Sequence, residues 1–436
     1  MRVGFHTFGC KLNQHETEAL ASAFRGGGFT VREARAEAEL YVVNTCTVTS
    51  AGDHKARALV RSLLRGHPGA PVIVTGCSAQ LEAAAIARLG ADVVVVPQDR
   101  KDRLLGLPDF LISGAAAEPP SVESIRDFLG TAAPAGGPFA FRIAEASFHS
   151  RAVLKVQDGC DRHCAFCRVP LARGPSVSLG ADEAARRAAE LEARGFREIV
   201  VTGVNVSAWR EAGAGPSRLV DRILAGTSRA RIRMSSLEPE SIDDELAEAL
   251  ADPRICPHFH LPVQSGSDRV LLAMGRRYTS ATVAEAVERL RGAKRDPFIA
   301  ADMMTGFPGE TDEDFASSRT LVERVGFSQL HVFQFSPRPG TSAAGSKTPV
   351  PERVRGQRAA VLGDLSRALA AAYRTRWDGR DVEVLLEKRS GSRWQGTCGN
   401  YLKAWIRGVP PEEGRGSLVR AVLGDAGGDG RYLGSA

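Results

Sequence analysis

Four short apolar runs in the first hundred residues constrain the fold most. VGFHTFGC (Val3–Cys10), ELYVVNTC (Glu39–Cys46) and PVIVTGC (Pro71–Cys77) each end in cysteine, and ADVVVVP (Ala91–Pro97) does not. Helix-like stretches, Glu16–Phe24, His54–Arg65 and Ala79–Leu89, lie between them. Apolar runs alternating with helices read as βαβ units in a doubly wound parallel sheet. In such a sheet all the carboxyl ends of the strands lie on one edge, where ligands bind. Cys10, Cys46 and Cys77, spaced by 36 and 31 residues, would converge there. One such cysteine reads as a small buried hydrophobe. Three at the same offset point to a three-thiolate metal centre.

A second set lies in VQDGCDRHCAFCRVP (Val156–Pro170), where Cys160, Cys164 and Cys167 have C-x3-C-x2-C spacing. A disulfide framework would leave one cysteine over, and a closed zinc site wants four ligands. A zinc reading would have to recruit His163, since no fourth cysteine is near. Iron–sulfur clusters are usually held by four thiolates, so three leave one iron open to another ligand. The loop follows a strand-like run, Arg151–Gly159. Further strand ends are expected at Arg197–Asn205, Arg231–Leu237, Pro257–Ser265, Phe298–Gly309 and Gln329–Thr341, with helices between. About six βα units make a partial TIM-type α/β barrel, whose catalytic groups sit in the loops after the strands. Cys256 and Cys398 are isolated and read as structural.

The chain of 436 residues has room for several cores. The expected domains are 1–117, a Pro-, Gly- and Ala-rich linker at 118–148, a barrel at 149–377 and a tail at 378–436. No run of about 18 apolar residues predicts a membrane helix. The N-terminus turns polar too early for a signal peptide. The expected compartment is the cytoplasm, where thiols stay reduced and clustered cysteines bind metal or do catalysis. A net charge of +6 fits a polyanionic partner. From Asp381 to Leu433, short alternating runs broken by Gly and Pro predict a small all-β barrel. There Trp394, Tyr401 and Trp405 alternate with Arg393, Lys403 and Arg407, a pattern that suits single-stranded RNA. The preceding helix, Glu352–Arg376, carries six arginines and two acids.

With C-x3-C-x2-C after the first strand of an α/β barrel, the chain resembles the radical S-adenosylmethionine (SAM) enzymes. The motifs TFGCKLNQHETE, NTCTVTSAGDHKAR, VTGCSAQ, DGCDRHCAFCRVPLARG, SSLEP, HLPVQSGSDRVLLAMGRRYT and GFPGETDEDF narrow this. In that order, they are similar to the methylthiotransferase family over essentially the whole chain. The tail resembles the TRAM domain, an RNA-binding module. The resemblance implies two [4Fe–4S] clusters. That on Cys160, Cys164 and Cys167 would cleave SAM to a 5′-deoxyadenosyl radical. That on Cys10, Cys46 and Cys77 would carry the sulfur to be methylated and delivered. General acid–base catalysis cannot activate a nonacidic C–H, so a cofactor has to carry the hard step.

The resemblance also implies SAM contacts from Gly203, Asn205, Ser235, Glu238 and Gln264, with Arg173 pairing with the SAM carboxylate. RNA contacts would come from Arg393, Tyr401, Lys403 and Arg407. A flavodoxin- or ferredoxin-like protein would supply electrons, and the sequence does not name the sulfur source. Among the family's branches, NTCTVT, VQDGCD and MSSLEP look most like the tRNA threonylcarbamoyladenosine branch. The Asn205-Val206 pair resembles the isopentenyladenosine branch, and a third branch modifies a ribosomal-protein aspartate. HETE (His15–Glu18) stands where Asp-Ser-Glu is usual. A zinc-stabilised RNA-binding protein is the alternative of a different class. Cobalamin dependence is disfavoured, because Asp53 and His54 are adjacent rather than spaced as D-x-H-x-x-G.

Overall fold

In this computed structural model, the described residues are 1–47, 50–113, 120–143, 150–426 and 432–435. Residues 48–49 of the NTCTVT motif lie outside them. The chain packs as two units: residues 1–148, 158–161 and 167–177 form one, and the rest the other.

The first unit is built on a five-stranded parallel sheet. Its strands are β1 (Arg2–Thr7), β2 (Thr30–Glu33), β3 (Leu40–Thr45), β4 (Val72–Gly76) and β5 (Val93–Pro97). They lie in the order β2-β1-β3-β4-β5. Phe5 pairs with Val42 and Val42 with Ile73, so these share one face, where Phe24 of the helix Lys11–Gly26 meets Phe5 edge-on at 5.6 Å. Tyr41, Val43, Val72 and Val74 share the other face and pack with Val60 and Leu63 of the helix Ser50–Gly66. Each of these side chains contributes about 1.5–3 kcal/mol on burial. Helices on both faces make the sheet doubly wound, as expected. The sequence reading missed β2, a short polar edge strand.

Among its described residues, 120–143, the expected linker contains a helix. Ser121 caps a helix, Val122–Thr131, that buries Val122, Ile125 and Leu129. The flanking Pro, Gly and Ala masked this short amphipathic run.

The second unit holds six parallel strands: β6 (Ala152–Lys155), β7 (Glu198–Thr202), β8 (Arg231–Met234), β9 (His258–Gln264), β10 (Phe298–Thr305) and β11 (Gln329–Gln334). They form two three-stranded groups, β6-β7-β8 and β9-β10-β11. Single bridges, Ile232 with Ile255 and Ser236 with His260, link the groups into a partial barrel. Helices fill the crossovers, and Thr279 and Thr311 start two of them with capping boxes.

The tail forms a closed barrel of β12 (Asp381–Ser390), β13 (Arg393–Cys398), β14 (Lys403–Arg407), β15 (Leu418–Ala426) and β16 (Tyr432–Ser435). It falls within the second unit. Phe298 and Tyr373 join Val384, Leu386, Ala404 and Ile406 in one core. The Arg231 and Arg233 guanidiniums, both on Glu198, donate to the carbonyls of Thr397, Cys398 and Gly399. Cys256 and Cys398 are both buried. Burial pushes the Cys398 thiol up to about 12, consistent with a structural role.

Candidate metal centres

Cys10, Cys46 and Cys77 follow three neighbouring strands, β1, β3 and β4. Cys10 is the N-cap of the helix Lys11–Gly26, and Cys77 opens the helix Cys77–Leu81. Cys10 is exposed and the other two are buried. Glycine is required just before two of them. At Gly9, with φ +98°, a Cβ would lie 2.6 Å from Cys46 Sγ. At Gly76, with φ +97°, it would lie 2.3 Å from the Thr45 carbonyl. Burial pushes the Cys77 thiol up, while Arg173 opposes this and the charge of Cys10 reinforces it. Cys10 and Cys77 thus feel each other's charge beside buried cations, Arg173 and Lys101. That donor set fits a cluster carrying net negative charge once its thiolates are bound.

Arg173, expected to pair with the SAM carboxylate, has its partners within the first unit. Its side chain is 2% exposed and bridges Glu16, Asp158 and Asn13 within the first unit. Lys101 is fully buried against the same Glu16. Burial lowers its pKa and the Glu16 charge opposes this.

In the second cysteine loop, Cys164 is buried while Cys160 and Cys167 are half-buried. The Val169 backbone N–H donates to Cys167 Sγ at 3.4 Å. The Arg276 guanidinium donates to Cys164 Sγ at 3.4 Å and lies 3.3 Å from Glu238. Donors to sulfur are what tune an iron–sulfur cluster. Among the described residues, no three His, Cys, Asp or Glu side chains gather as a single metal ion would require. A four-iron cluster takes one thiolate per iron, so its cysteines need not close on one point.

The other expected SAM contacts lie at strand ends of the second unit. Gly203 and Asn205 follow β7, and Gln157 Oε1 accepts the Asn205 backbone N–H at 2.8 Å. A Cβ at Gly203 would lie 2.8 Å from that same oxygen. Asn205 is 6% exposed, yet neither polar atom of its side chain has a partner among the described residues. A buried unsatisfied amide costs about 1–3 kcal/mol, which a polar ligand would offset. Ser235, Glu238 and Gln264 are also buried at strand ends. Gln264 has φ +66°, a strained conformation of the kind that persists at ligand sites. Burial raises the Glu238 carboxyl, and Arg276 and Arg162 oppose this. The sequence reading missed Gln157, Arg162 and Arg276; only the GRRYT run hinted at the last.

The expected RNA contacts divide. Arg393 and Arg407 are exposed. Lys403 bonds Thr397 and Glu387. Tyr401, at φ +68°, packs against His258 with ring centroids 4.3 Å apart and the rings tilted by 31°, and lies beneath Arg233. It packs the tail barrel against β9.

Residues 154–322 match the radical SAM superfamily, and residues 2–96 match a family described as uncharacterized protein family UPF0004. The threonylcarbamoyladenosine tRNA methylthiotransferase MtaB of Treponema pallidum is 40% identical over 88% of this chain and 91% of its own length. The Bacillus subtilis protein of the same name is 35% identical over 98% of this chain and 94% of its own. A tRNA-2-methylthio-N(6)-dimethylallyladenosine synthase of Cereibacter sphaeroides is 35% identical over 88% and 86%. Among solved structures, the radical SAM methyltransferase TsrM of Kitasatospora setae, with cobalamin and a [4Fe-4S] cluster bound, shares the fold. Its TM-score is 0.56 at 15% identity, over 79% of this chain and 77% of that one. With a radical SAM match and relatives matching nearly end to end, this chain belongs to the radical SAM methylthiotransferase family, on the threonylcarbamoyladenosine branch.

Proposed function

We propose that this protein converts N6-threonylcarbamoyladenosine, at position 37 beside the anticodon of tRNA, to its 2-methylthio derivative. The observation that carries this is the pair of three-cysteine sets in a chain of that branch. The bound cofactors supply one-electron cleavage of SAM and a methylated sulfur for transfer. Adenine C2 is a bare C–H, and its hydrogen is replaced by the methylthio group. Cys160, Cys164 and Cys167 would hold the radical-generating cluster, with Arg276 and the Val169 N–H donating to the sulfurs of Cys164 and Cys167. Cys10, Cys46 and Cys77 would hold the sulfur-delivering cluster. Asn205, with its unpartnered amide, binds the methionine end of SAM beside Gly203, and Ser235, Glu238 and Gln264 complete that cavity.

The tail barrel, read as a TRAM-like module, contacts tRNA through Arg393, Lys403 and Arg407. A flavodoxin- or ferredoxin-like protein delivers the electron. Among the described residues no helix is long and apolar enough to cross a membrane. We place the reaction in the cytoplasm, where tRNA is modified.

The Asn205-Val206 pair favours the isopentenyladenosine branch as the second reading. The test is mass spectrometry of nucleosides after incubation with each modified tRNA. An adduct on threonylcarbamoyladenosine is expected. A site that grips a polar substituent rejects tRNA lacking it by about 10⁴–10⁵-fold. An adduct on isopentenyladenosine alone would move the protein to the sister branch.

A further inference from the structure

Arg173 lies six residues beyond Cys167, and its partners belong to both cysteine sets. On one side its guanidinium donates to both Asp158 carboxylate oxygens at 3.1 Å. Asp158 Oδ1 in turn accepts the Gly159 N–H at 2.8 Å, one residue before Cys160. The loop is closed at its neck, where Cys160 N–H donates to the Gly174 carbonyl at 3.1 Å. A Cβ at Gly159 would lie 1.8 Å from the Pro175 carbonyl, so only glycine permits this approach. On the other side Arg173 donates to Glu16 at 2.9 Å and to Asn13 Oδ1 at 2.8 Å. Asn13 donates to the carbonyls of Phe8 and Thr45, both at 2.9 Å. Those two carbonyls end the approaches to Cys10 and Cys46. Lys101 holds Glu16 from behind and reaches Asn44 Oδ1 at 3.0 Å.

We infer that Arg173 is a positioning residue: its fork fixes the neck of the Cys160–Cys167 loop to the strand ends that carry Cys10 and Cys46. A buried guanidinium held by two carboxylates and an amide leaves little freedom to either side. Sulfur delivery to a short-lived carbon radical needs this constancy. Misplacement of reacting groups by about 1 Å costs on the order of 100-fold. The inference rests on the proposed methylthio transfer and adds what keeps its two centres in register.

The test uses the full chain, reconstituted anaerobically, with Arg173→Met and Arg173→Lys. Lysine keeps the charge but cannot bridge Glu16, Asp158 and Asn13 together. Two readouts are taken. One is 5′-deoxyadenosine formed per methylthio product on threonylcarbamoyladenosine tRNA. The other is the magnetic interaction between the two reduced clusters, seen as broadening of their paramagnetic resonance spectrum. Both variants should raise the ratio by on the order of 100-fold and weaken or spread the interaction. Full rescue by Arg173→Lys would overturn the clamp, as would a proportional fall in cleavage and product with the spectrum unchanged. If Arg173→Met does not fold, Arg173→Lys and the isosteric Glu16→Gln carry the same readouts. Should unmutated protein cleave SAM yet modify no tRNA, the functional reading fails, and the spectrum alone decides the clamp.

Discussion

The guanidinium of Arg276 donates an N–H to the sulfur of Cys164 at 3.4 Å, from a position 112 residues further along the chain. A cation with a donor aimed at a ligating sulfur stabilises the more negative, reduced form of a cluster. Arg276→Met should therefore shift the midpoint potential of the cluster at Cys160, Cys164 and Cys167 downward. SAM cleavage should fall by about 10–100-fold, as for other groups that bond to metal ligands. Redox titration followed by paramagnetic resonance checks it, and an unmoved potential would refute the role.

Replacing Cys46 with Ala should separate the two chemistries. If radical generation uses only Cys160, Cys164 and Cys167, as proposed, 5′-deoxyadenosine should still form while methylthio product disappears. Iron analysis gives the parallel measure. Two four-iron clusters amount to about eight irons per chain, and the triple Ala variant of the barrel set should retain about four. Loss of cleavage in folded Cys46→Ala protein would contradict the division of roles.

Gly9→Ala tests the sulfur-delivering set without touching a cysteine. The new Cβ would lie 2.6 Å from Cys46 Sγ, and the backbone has φ +98°. The cost is about 1–3 kcal/mol, together with displacement of that sulfur. Iron should drop by about half. A full complement of iron in Gly9→Ala would show that Cys46 does not ligate.

Glu198 governs the acid limb of stability. Burial by itself would raise its carboxyl, but Arg233 and Arg231 hold it well below the usual carboxylate range. A depressed carboxylate contributes stability above its unfolded value, near 4.3, and loses it as pH falls through the folded value. Glu198→Gln strands two buried guanidiniums and should cost about 3–5 kcal/mol near neutral pH. The gap in melting temperature between the two proteins should narrow below about pH 4. A gap independent of pH would sink this account. The same variant should loosen the tail barrel, because Arg231 and Arg233 also hold its carbonyls. Faster proteolysis near residue 400 would report it.

The sheet-edge placement of Cys10, Cys46 and Cys77 was legible because β-strand ends recur at a spacing that short-range pattern reveals. The six barrel strands were legible for the same reason. Arg173 was not, since its partner Glu16 lies 157 residues away and nothing local marks an arginine as buried. The contacts of Tyr401 were not legible either. Its alternation with Arg and Lys resembles a stacking surface, whereas its positive φ and its contact with His258 depend on a strand of another sheet. Asn205 was visible as a strand-end residue, but only its surroundings reveal that its amide has no partner among the described residues.

Because β1, β3 and β4 are immediate neighbours, their register acts as a ruler for the three thiols. Thr7 pairs with Asn44 and Thr45 with Gly76, so consecutive anchor points are one interstrand step apart, about 4.8 Å. The intervening helices can gain or lose turns without altering that step. Only a slip between strands would, and the buried faces forbid it. Lineages carrying this architecture are thus free to vary widely in length between the cysteines while the cage for the cofactor stays the same size.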